Sequence, residues 1–279
     1  MQRDGKPLTF DEVLQAAIAD LAANGYTGPD QIAKWMRLLR QTAEETLGQN
    51  GEVDKKVRDA MRQIYRRMVE NAGVAKSVPG VGQYTLAMVA PDLRAELDRR
   101  ILAAADLIKL NRTAAIEKTL QRFAGWSTSI PDGGSDVIDK REVRMQIAKP
   151  VKQVKFEARR VAIDQGHKLN ANLAEIVAVS QGAIGAVWHS HWRQPGYDYR
   201  PDHKERDGNF YVQRDSWAMA EGYIKAGGPY VDQITRPGEE VYCQCNYVWI
   251  TRLTSVPVEF LTRKGRAKVA EIKGAKVGV

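Results

Sequence analysis

Through the first 180 residues, apolar side chains recur at three- and four-residue spacing in one run after another, a period that suits helices and does not suit strands. This pattern obliges the N-terminal half to be an assembly of helices. Thr9 followed by Glu12 forms a capping box. It opens a run of Val13, Leu14, Ala17, Ile18 and Leu21 that stops at Asn24-Gly25. Gly28-Pro29 restarts the chain, with proline suited to a first helical turn, and Ile32, Trp35, Leu39 and Ala43 follow. A third run extends from Val53 to Ala72. After Pro79-Gly80-Val81-Gly82, which lacks the third glycine of a dinucleotide-binding loop and reads as a turn, Pro91 begins a long helix carrying Leu93, Leu97, Ile101 and Leu120.

Trp126 to Ser135 is rich in Gly, Ser, Thr and Pro and is the best place to divide the chain. Asp136 to Ala148 reads as a short basic helix stopped by Pro150, and Val151 to Ser180 as a further helix. From Gly182 the periodicity fades and Trp, Tyr, Gly, His and Pro become dense. The strongest strand is Val241 to Ile250, where Val241, Cys243, Cys245, Tyr247 and Trp249 alternate onto one face. Pro257 to Lys273 reads as a terminal helix. The expectation is therefore an α+β chain: a helical domain over 1–125, a linker with a short basic helix over 126–150, and a mixed, loop-rich domain over 151–279.

Neither a charged-then-apolar leader nor an apolar run of about 20 residues occurs, so no membrane partner is expected. The only cysteines, Cys243 and Cys245, are too close together to close a useful disulfide loop. The net charge of +8 is concentrated in two places. Residues 140 to 160 hold eight Lys or Arg against two Glu, and the segment from Arg263 to Lys276 holds six against Glu271. Two basic patches on a nearly neutral body suggest a polyanion, with Lys149, Lys152, Lys155, Arg159 and Arg160 as candidate contacts to DNA phosphates. A solvated helical face is the plainer reading.

His189, His191 and His203 fall in the aromatic segment, with Asp198, Asp202, Glu205 and Asp207 beside them. In order along the chain stand Trp188, Asp198, Arg200, His203, Gly208, Pro237, Gly238, Cys243 and Cys245. This ordered set resembles the C-terminal domain of the Mu F-like minor head proteins of tailed phages, also described as phage head morphogenesis proteins. The resemblance covers roughly Lys155 to Arg252. It departs from the family pattern at Ala162-Ile163-Asp164, where an Arg-Thr pair is usual, in the long insert between Trp188 and Asp198, and at Gln244, where arginine is usual. What it implies is a low-copy structural protein of the virion, lodged in the head interior or portal region. It would bind portal or major capsid protein, and packaged double-stranded DNA without sequence preference.

Two chemistries compete at these residues. His203, Cys243 and Cys245 offer three zinc ligands, with His189, His191 or Asp198 as a fourth, although the two cysteines equally suit a small core beside Tyr247 and Trp249. A metal-dependent nuclease would instead use His189, His191 and His203, with Asp198 or Asp207 assisting a water. No positioned nucleophile or phosphate loop accompanies them, so Asp198 with Arg200 and His203 better suits a paired network that orders a loop than catalysis. The seven aromatics from Trp188 to Trp217 suit a small core, an interface belt or a base-stacking surface.

Overall fold

In the computed structural model, which describes residues 2–3, 6–48 and 50–274, Thr9 caps helix α1 (Phe10–Asn24) as its sequence requires. Its hydroxyl accepts from the Glu12 amide while the Glu12 carboxylate accepts from the Thr9 amide. Short strands β1 (Gln2–Arg3) and β2 (Lys6–Pro7) precede it. Helix α2 (Pro29–Thr46) starts on its proline, and α3 (Asn50–Tyr65) continues into a π-helical turn over Arg66–Glu70. A 3-10 turn (Gly73–Lys76) and α4 (Gln83–Met88) lead to two long helices, α5 (Ala90–Ser127) and α6 (Lys140–Ser180). The remainder holds β3 (Gly185–His189), α7 (Pro201–Glu205), β4 (Phe210–Val212), α8 (Trp217–Ala220), β5 (Asn246–Ile250) and α9 (Arg263–Gly274). The fold is α+β with a helical N-terminal part. Among the described residues, no helix is long and apolar enough to cross a membrane.

Pro150 does not end a helix, contrary to the expectation from sequence. It lies inside α6, where its missing N–H leaves the Gln146 carbonyl without a helical donor. The Arg122 guanidinium of α5 fills that vacancy, donating to the Gln146 carbonyl at 2.6 Å. Arg122→Met, which keeps the stem and removes the donor, is expected to cost about 1 kcal/mol in denaturant unfolding. The same change accompanied by Pro150→Ala, which restores the backbone donor, should cost nothing.

Residues 126–150 are also more than a linker. Phe123, Ile147, Ala148 and Val151 share one core with Leu14, Ile18, Trp35 and Leu39, and Trp126 packs against it. The chain accordingly divides into two compact units that do not follow the cut near residue 126. One comprises 1–57 with 103–161 and the other 58–102 with 162–279.

The second unit holds the sheet, in the order β4-β3-β5 with both pairings antiparallel. Alternation gives it two different faces. Val187, Phe210, Val212 and Ile250 join a core with Ile184, Ile224, Leu253 and Leu261. The opposite face presents Trp188 beside Tyr247, and Ala186 beside Trp249. Gly185 is required in β3, because a Cβ there would stand 2.3 Å from the Tyr211 carbonyl oxygen.

Candidate metal centre

The aromatic face of the sheet carries the centre. Trp188 is fully buried, and its ring meets His203 edge-on at 5.1 Å and Tyr247 at 5.5 Å. His203 arrives from α7, and the Arg206 guanidinium one turn later lies 5.1 Å from the Trp188 ring. Gly208 closes the turn out of α7 at φ +80°, donating its N–H to the Trp188 carbonyl at 2.8 Å. Trp188 in turn donates to the Asn209 carbonyl at 3.0 Å. The tryptophan, histidine and glycine of the resemblance are thus one packed unit.

The cysteines reach the same point by a different route from the one expected. Cys243 and Cys245 lie before β5, which begins at Asn246, so strand alternation does not align them. A loop does, in which Gly238 has φ +80° and Tyr242 φ +66°. Asp164 of α6, itself buried, accepts the Tyr242 N–H at 2.7 Å and anchors that unusual conformation. The Tyr197 hydroxyl accepts from the Gln244 amide at 3.1 Å and fixes the residue between the cysteines.

The result is a compact donor set. His203 Nδ1 lies 3.6 Å from Cys243 Sγ and 3.6 Å from Cys245 Sγ, and the three ligand atoms fall within 4.8 Å of one another. Tetrahedral zinc, with metal–sulfur bonds of about 2.3 Å and metal–nitrogen bonds of about 2.0–2.1 Å, separates a sulfur from a nitrogen by about 3.6 Å. The residues fit a metal. The Cys245 thiol donates to the Cys243 sulfur, and the Gly238 and Cys245 amides add further donors, so the Cys243 thiol is pulled down to about 6 despite burial. The same thiol–thiol bond, together with burial, pushes the Cys245 thiol up. One thiolate therefore forms readily where a cation needs a negative donor.

His203 Nε2 faces the other way. It is buried without a hydrogen-bond partner, 3.6 Å from Glu240 Oε2 and 3.9 Å from Asp202 Oδ2. A carboxylate behind the imidazole is the arrangement that orients a metal-binding histidine. Glu240 is itself held by Arg200 Nε at 2.5 Å, and Arg200 also donates to the Val241 carbonyl. Asp202 pairs with Arg206 at 2.7 Å.

Sequence reading found His203, Cys243, Cys245, Trp188, Arg200 and Gly208, and the structure brings all six together. It does not bring Asp198, which is exposed, so the loop-ordering pair is Arg200 with Glu240 and not Arg200 with Asp198. His189 and His191 are exposed as well. Among the described residues, His203, Cys243 and Cys245 are the one group able to hold a metal, so a divalent site built on the three histidines is not formed. Nor do the expected fourth ligands join it. Ser190 Oγ lies nearby, accepting from the Cys245 thiol at 3.8 Å. In the sequence Asp164 stands out only as part of a departure from the family pattern, and nothing singles out Glu240 from its neighbour Glu239.

Asp207 is occupied with the loop. Its carboxylate accepts from the Ser190 amide at 2.9 Å and from Trp192 Nε1 at 3.0 Å, and the Ser190 bond chiefly holds it below the usual carboxylate range. A depressed carboxyl stabilises the fold above its unfolded pKa and loses that contribution as pH falls through the folded one. Asp207→Asn is therefore expected to cost about 1 kcal/mol at neutral pH, with the deficit disappearing in acid, as read by urea unfolding across pH.

The candidate DNA contacts all lie on α6. Lys149, Lys152, Lys155, Arg159 and Arg160 are exposed at helical spacing, with Lys152 3.4 Å from Asp11 and Arg160 3.9 Å from Glu157. In the C-terminal patch, Lys264 faces Glu221 and Lys268 pairs with Glu271, while Lys276 lies outside the described residues. No family model matches the chain, and neither a curated protein nor a solved structure matches it.

Proposed function

We propose that the chain is a minor head protein of a tailed bacteriophage, packaged in the virion, whose residues 188–245 form a docking module fastened by one zinc ion. The observation that carries this reading is convergence. Trp188, Arg200, His203, Gly208, Gly238, Cys243 and Cys245, dispersed along the chain, meet around one donor set whose ligands are almost fully enclosed. Zinc bound by His203, Cys243 and Cys245, with Ser190 Oγ or a water in the fourth position, would tie α7 to the loop before β5. That supplies stability to a region with little regular backbone bonding.

The same ligand types with an open position also serve catalytic zinc. Here the nearest carboxylates, Glu240 and Asp202, stand behind the imidazole and are engaged by Arg200 and Arg206. They are placed to orient the ligand and not to take a proton from a metal-bound water. The structural role is favoured for that reason. The portal or major capsid protein is the proposed partner, with double-stranded DNA held non-specifically by the basic face of α6.

Mass spectrometry of purified particles tests the assignment: the polypeptide is expected at low copy relative to the shell, and its absence would refute it. A plasmid-nicking assay with magnesium, manganese and zinc is expected to show no cleavage. Metal-dependent cleavage abolished by His203→Ala would instead establish the nuclease.

A further inference from the structure

A cavity of about 400 Å³ lies within the second unit, between α6, the strand β5 and the segment from Arg67 to Ser77. That is within the range of small-ligand sites. Its construction is specific. The π-helical turn Arg66–Glu70 is closed by the Asn71 amide donating to the Arg66 carbonyl at 2.9 Å, and turns of this kind recur at functional sites. The Ser77 carbonyl accepts from the Trp249 amide of β5 at 2.7 Å, which pins Lys76 and Ser77 beside the strand. One face of α6, with His167, Asn170, Ala171, Ala174 and Glu175, forms the facing wall.

The charges on this lining do not balance. Arg236 is paired with Glu175 across the cavity wall. Arg67 and Lys76, both exposed at the rim, have no acidic partner among the described residues. Deeper in, two polar atoms are stranded: Tyr247 Oη and Asn170 Oδ1 are buried with no hydrogen-bond partner, and Tyr247 is only 6% exposed. A buried hydroxyl without a partner is costly, so a ligand that accepts from it is favoured.

We infer that this cavity binds a phosphate monoester of about nucleotide size. Two uncompensated cations match the dianion of a phosphate monoester, where a carboxylate would leave one of them unanswered. The volume exceeds what phosphate alone fills, and Met68, Ala171, Ala174 and Pro237 give the remainder an apolar wall suited to the body of the ligand. The shared chemistry, a terminal phosphate on a nucleoside, comes either from a free nucleotide or from the 5′ end of a DNA strand. The inference is independent of the virion reading; the cavity borders the metal centre through Cys245, but neither Arg67 nor Lys76 belongs to the donor set.

Isothermal titration calorimetry on the full chain at matched ionic strength tests it. The probes are adenosine 5′-monophosphate, adenosine, inorganic phosphate, and an oligonucleotide with and without a 5′-phosphate. Saturable binding of the monophosphate is expected, with adenosine at least about tenfold weaker, since adenosine lacks the charged group that both cations would meet. Arg67→Ala with Lys76→Ala, both surface changes that leave the melting temperature in place, should weaken binding at least about tenfold, and Tyr247→Phe by a smaller factor. If only the phosphorylated oligonucleotide binds, the ligand is a strand end. If the free nucleotide binds equally well, it is a small molecule, and both outcomes support the phosphate site. Equal binding of adenosine and its monophosphate, indifference to Arg67→Ala with Lys76→Ala, or no saturable heat with any phosphorylated probe overturns it.

Discussion

Trp188→Ala is expected to destabilise the second unit by about 3–5 kcal/mol, which corresponds to a fall of about 10 °C in melting temperature. The ring is completely buried, and truncation leaves a large void at the middle of an aromatic stack. It also removes edge-on contacts to His203 and Tyr247, each worth about 0.5–1.5 kcal/mol beyond area, and uncovers the Arg206 guanidinium. Trp188→Phe keeps a ring between β3 and α7 and should recover more than half of the loss. Circular dichroism melts of the three proteins check both statements. A wild-type melting temperature in the alanine variant would mean that Trp188 is peripheral to the fold.

Metal removal is expected to act on the same place by a different cause. A zinc ion present at about a thousandfold over its dissociation constant stabilises the folded chain by about 4 kcal/mol, so a strong chelator should lower the melting temperature by about 10 °C. Cys243→Ser should start near that lower value and show no further response to chelator. The absence of a chelator response is the informative part, because any substitution of a buried cysteine costs some stability. His189→Ala and His191→Ala should retain the full wild-type response, since neither histidine belongs to the donor set.

Much of this architecture is readable in the amino acids wherever the determinant is local. The Thr9–Glu12 box, Pro29 at the start of α2 and the long apolar run of α5 are each contained within a few turns, and each element forms where its residues indicate. The misreadings share one origin, a distant partner. Pro150 looks like a stop until Arg122, far earlier in the chain, satisfies the carbonyl that proline orphans. Cys243 and Cys245 look like alternating strand residues until Asp164 is seen to hold Tyr242 at positive φ, turning both sulfurs toward His203 by loop geometry.

The candidate centre was legible for a related reason. Its ligand types are rare in this chain, with four histidines and two cysteines in all, so His203, Cys243 and Cys245 stand out before any coordinates. Their supporting residues do not. Glu240 behind the imidazole, Arg200 turned to Glu240 in place of Asp198, and Ser190 beside Cys245 belong to residue types too common to be marked by pattern alone. The 126–150 segment illustrates the reverse case, since the Gly, Ser, Thr and Pro of its first ten residues suggest a linker although Ile147 and Ala148 join a core and Trp126 packs against it.

The claim on which the account rests is that three side chains brought together by α7 and one loop grip a metal to fasten the C-terminal region. Native mass spectrometry of the full chain, purified from zinc-supplied cells, addresses it directly. One zinc per polypeptide, absent from Cys243→Ser and from His203→Ala but kept in His191→Ala, is the predicted outcome. A folded wild-type chain with no bound metal, and a melting temperature indifferent to added zinc, would contradict it.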